Sequence, residues 1–109
     1  MPTVTIQVTD CSENTVTMNN NGNATANHGD FVLWNVTGAK IESITITQVS
    51  GAGETQIWSS LPAPFPNSDS KNWRGTIGNV GSVHEDYTIT AHCDGQIISH
   101  DPRISVNPK

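Results

Sequence analysis

The stretch Tyr87-Thr-Ile-Thr-Ala-His-Cys-Asp-Gly-Gln-Ile-Ile-Ser-His-Asp-Pro-Arg-Ile-Ser-Val106 decides the fold. From Tyr87 to Cys93 its side chains alternate in character, the two-residue period of a strand with one face in a core. Tyr87, Ile89, Ala91 and Cys93 share the inward face, and Thr88, Thr90 and His92 the outward one. A loop from Asp94 to Ser99 leads to His100, and Arg103 to Val106 reads as a closing strand.

The same alternation runs through the rest of the chain. Val4, Ile6 and Val8 form one face of a first strand, with Thr3, Thr5, Gln7 and Thr9 on the other. Asp10 to Asn14 reads as a turn, Thr15 to Met18 as a second strand, and Asn19 to Asn23 as a loop. Phe31 to Val36 carries apolar residues on both faces, as a central strand does. Ile41 to Val49 is a fourth strand, ended by Ser50-Gly-Ala-Gly53. An irregular insertion over about 51–72 follows, rich in proline and then polar residues, before a return strand at Trp73 to Ile77. No window has a helical period. About seven short strands with regular turn signals define an all-β, Greek-key β-sandwich, one domain over residues 1–109.

Composition narrows the function classes. The formal net charge is −5 and Lys plus Arg number 5, without a basic cluster, which argues against nucleic acid or an anionic lipid surface as partner. No apolar run is long enough to insert into a bilayer. No leader-like segment precedes Val4, and the Asn/Thr/Ser-rich, Lys-poor composition leans toward a secreted, periplasmic or cell-surface location. Asn23-Ala-Thr25 and Asn35-Val-Thr37 match the glycosylation pattern, which only a eukaryotic secretory route uses.

Three segments in order carry a family resemblance. His28-Gly-Asp-Phe-Val-Leu-Trp-Asn35 resembles the Gly-Asp-x-Val-x-Trp strand of cupredoxins, the blue-copper proteins. Trp73-Arg-Gly-Thr-Ile77 lies where those proteins return through a Gly-bearing strand, and Tyr87 to Cys93 resembles their Tyr-x-Tyr-x-Cys strand. The resemblance implies a cupredoxin-like, immunoglobulin-like sandwich. It also implies a copper site of two His, one Cys and a weak axial Met. Of that set only Cys93 stands in place. No His occupies Gly38 to Ser43, His100 comes seven positions after Cys93, and no Met follows Met18. The expectation is therefore a cupredoxin-like domain without a standard type 1 copper site and without a cofactor. The alternative is a copper-binding, electron-transfer protein that uses Cys93 and His100, with His92 as a further ligand.

In cupredoxins the turn after the first strand lies at the same end of the sandwich as the ligand cysteine, so the resemblance makes a Cys11–Cys93 disulfide feasible. Three states of the cysteines stay open: that bridge, two free thiols, or copper ligation. His28, His84, His92 and His100 show no spacing suited to zinc, and the acidic residues near turns match no EF-hand loop. No Gly-x-Ser-x-Gly elbow surrounds Ser59, Ser60 or Ser99, so a non-enzymatic role is expected. Trp58, Phe65 and Trp73 flank a proline-stiffened segment and offer a second alternative, a glycan-binding surface; otherwise they cap an open end of the sandwich. The expected role is a structural or recognition module whose partner is a protein or a glycan.

Overall fold

A computed structural model describes residues 2–12, 14–48 and 57–109. Val49, the break at Ser50 to Gly53 and the part of the expected insertion up to residue 56 lie outside these. Ten strands occur among the described residues: β1 (Thr3–Ser12), β2 (Thr15–Met18), β3 (Ala24–Ala26), β4 (Phe31–Val36), β5 (Ile41–Gln48), β6 (Trp58–Pro64), β7 (Trp73–Ile77), β8 (Val83–Cys93), β9 (Gln96–His100) and β10 (Arg103–Val106). They form two mixed sheets, ordered β2-β1-β4-β7-β6 and β3-β10-β8-β5, with β9 paired to β8. The expected all-β sandwich is the architecture.

Alternation places the core. On β1, Ile6 and Val8 are buried; on β4, Val32 and Trp34; on β8, Tyr87, Ile89, Ala91 and Cys93. These inner faces pack against each other, and Trp34 is wholly enclosed. β1 runs parallel to β4, and β4 antiparallel to β7, which pairs Trp34 with Trp73 on neighbouring strands of the first sheet.

Three strands exceed the expected seven, and each has a physical reason. Gln96–His100 is not a loop but a strand paired to β8, with Cys93 opposite Gln96 and Ile89 opposite His100. Asp94 (φ 49°) and Gly95 (φ 79°) form its turn, both in the left-handed region that two-residue hairpins of this twist require. Trp58–Pro64, read as irregular, is an edge strand whose ladder to β7 is broken twice, which suits the prolines at 62 and 64. Ala24–Ala26 is a short edge strand parallel to β10. β1 also continues past Asp10, so Cys11 lies at the end of a strand, opposite Val16, rather than in a turn.

Candidate functional site

The inner face is arranged around a chain of hydrogen bonds. Trp34 Nε1 donates to the Tyr87 hydroxyl at 3.0 Å, and that hydroxyl donates to the Gly22 carbonyl. Gly22 lies in a 3₁₀ turn, Asn19–Gly22, in which Asn20, Asn21 and Gly22 all have positive φ. A Cβ on Gly22 would come within 2.8 Å of Pro102 Cγ and 3.0 Å of the Tyr87 oxygen, so the close approach needs glycine. Trp34 also packs edge-on to Tyr87, at 5.2 Å between ring centroids, and tilted to Trp58 at 6.1 Å.

Cys11 and Cys93 are joined by a disulfide with a Cα–Cα separation of 6.6 Å, and no cysteine is free. The bridge ties β1 of one sheet to β8 of the other. Strand parity separates the residues expected to share a metal with Cys93. Cys93 is buried, whereas His92 projects from the opposite face of β8, with Ser43 and Ile97 beside it in the ladder. His100 is exposed, its Nε2 lying 3.1 Å from the Asn21 carbonyl oxygen. Cys93, His92 and His100 are therefore not brought together, and the described residues contain no group of three or more His, Cys, Asp or Glu able to hold a metal ion.

The aromatic set divides in the same way. Trp58 is buried, and its Nε1 donates to the buried carboxylate of Glu85. Trp73 is half-buried and packs against the core. Only Phe65 remains on the outer side, so Trp58, Phe65 and Trp73 do not form one exposed face. Trp73 shares parity with the buried Gly75 and Ile77 of β7, and Trp58 is held inward through Glu85.

The outer face of the first sheet holds a different constellation. The Arg74 guanidinium lies between two rings, its Cζ 4.3 Å from the Phe31 centroid and 3.9 Å from that of Phe65. Phe31 also forms part of a groove of about 410 Å³, together with Ile77, Gly29, His28, Ser59 and Asn79. That volume falls within the range of small-molecule sites. Nothing local in the sequence marks Arg74, because the stack joins a strand on one side of β7 to the segment after β6 on the other.

Among the remaining charges, Arg103 Nε donates to Asp86 Oδ1 at 2.7 Å and holds that carboxyl below its ordinary range. Both groups are exposed, so the pair adds little to stability. No helix among the described residues is long and apolar enough to cross a membrane. No family model matches the chain, and comparison with curated proteins gives no match. Fold and bridge together define a disulfide-stapled, all-β two-sheet sandwich.

Proposed function

We propose that this chain is a non-enzymatic recognition domain of cupredoxin-like architecture that does not work by copper redox chemistry. The observation that carries the reading is the bond between Cys93 and Cys11. A type 1 site requires a thiolate, and at the position where the resemblance calls for one the sulfur is committed to a disulfide. The opposite facing of His92 and the distant engagement of His100 support the same reading. A bridge between the two sheets suits an oxidising compartment, in line with a secreted, periplasmic or cell-surface location. What remains for function is the solvent face, where an aromatic-flanked cation adjoins a groove.

The test is addition of Cu(II) to the untreated protein. The proposal expects no intense thiolate-to-copper absorption near ~600 nm. A strong band there, lost in Cys93→Ser, would contradict it and restore the electron-transfer alternative.

A further inference from the structure

Arg74 is held in an unusual state for a surface cation. Both faces of its guanidinium are covered by Phe31 and Phe65, and among the described residues it has no hydrogen-bond or ion-pair partner. A guanidinium stacked on both faces presents its N–H donors only at its edge, in the planar fork that matches a carboxylate. The stack also fixes the side chain before any ligand arrives, which lowers the ordering cost of binding. In a chain of net charge −5, this cation has no acidic partner among the described residues.

The adjoining groove supplies the second half of the argument. Phe31 belongs to both the stack and the groove, so the two lie one ring apart. Phe31 supplies the ring surface of the groove, and Gly29 carries no side chain there; His28, Ser59 and Asn79 place polar groups around it and are exposed. Apolar ring surface bordered by hydrogen-bonding groups suits a pyranose, whose C–H face packs on aromatic carbon while its hydroxyls turn to the rim.

We infer that the outer face of β4 and β7 binds an acidic saccharide, a uronate-bearing glycan, with the carboxylate on Arg74 and the sugar ring in the Phe31 groove. This rests on the reading of the chain as a recognition domain and names its ligand class.

The experiment is calorimetric titration of the intact protein with an oligogalacturonate, a neutral oligogalactose of matched length and a sulfated galactan oligosaccharide that carries no carboxylate. The inference expects the uronate to bind at least tenfold more tightly than the other two. Arg74→Gln should lower its affinity on the order of tenfold or more, as the loss of a charge-assisted fork implies. Asn79→Ala, an exposed rim change, should weaken both acidic and neutral sugars by a smaller factor with an unaltered melting temperature. Preference for the sulfated sugar would overturn the carboxylate assignment, and unchanged uronate affinity in Arg74→Gln would overturn the site. Absence of uronate binding would sink the inference yet leave the recognition reading intact unless copper also produced its band.

Discussion

The Tyr87 hydroxyl links the two sheets: it accepts a hydrogen bond from Trp34 Nε1 at 3.0 Å and donates one to the Gly22 carbonyl. One oxygen thus satisfies a buried indole on β4 and a buried carbonyl beyond β2. Tyr87→Phe removes that oxygen and leaves both groups unpaired in the interior. A loss of about 2 kcal/mol is expected, measured as a lower urea midpoint with an unchanged slope. A neutral substitution would show that the relay carries no stability.

Burial pushes the Tyr87 phenol well above its ordinary value, outweighing the opposite pull of the Trp34 hydrogen bond. The group is neutral in the fold, so its contribution is fully present below the unfolded-state value of ~10 and is lost as pH rises toward the folded-state value. Tyr87 is the one tyrosine in the sequence, which makes spectrophotometric titration unambiguous. Tyrosinate absorption should appear together with loss of near-ultraviolet dichroism. Ionisation near pH ~10 in a protein that remains folded would show that water reaches the hydroxyl.

Gly75 lies on β7 directly beneath Trp58. A Cβ there would fall 2.7 Å from Trp58 Cζ3 and 2.8 Å from Cε3, and the indole nitrogen is anchored on Glu85. Gly75→Ala should cost about 1–3 kcal/mol through overpacking, read by thermal denaturation. The same change at Gly78, where the nearest atom to a Cβ is 3.4 Å away, should cost less.

The alternation of β1, β4 and β8 was legible because each strand has one face in a single core: Val8, Val32, Trp34 and Ile89 are fully buried as their parity requires. Asp94-Gly95 carried a hairpin signal of the strongest short-range kind, two residues able to adopt positive φ between alternating runs. Read as part of a ligand loop, it concealed β9. The prolines of β6 concealed an edge strand, which tolerates them because one side of its backbone needs no ladder bonds. The candidate site was least legible. Trp58 is turned inward by Glu85, and Arg74 is trapped by Phe31 and Phe65; these partners are distant along the chain, and no local pattern encodes such contacts.

We propose that Cys93 serves as a staple and not as a metal ligand. The Cys11–Cys93 bridge spans a sequence separation of 82, and closing so long a loop stabilises the fold by about 4 kcal/mol on the chain-entropy view. The Cys11→Ser, Cys93→Ser double variant should show a loss of that order in denaturant unfolding. The most direct measurement is a thiol count by alkylation and intact mass, on untreated protein unfolded without reductant. A bridged pair gives no alkylated cysteine before reduction and two after it; two reactive thiols before reduction would refute the staple.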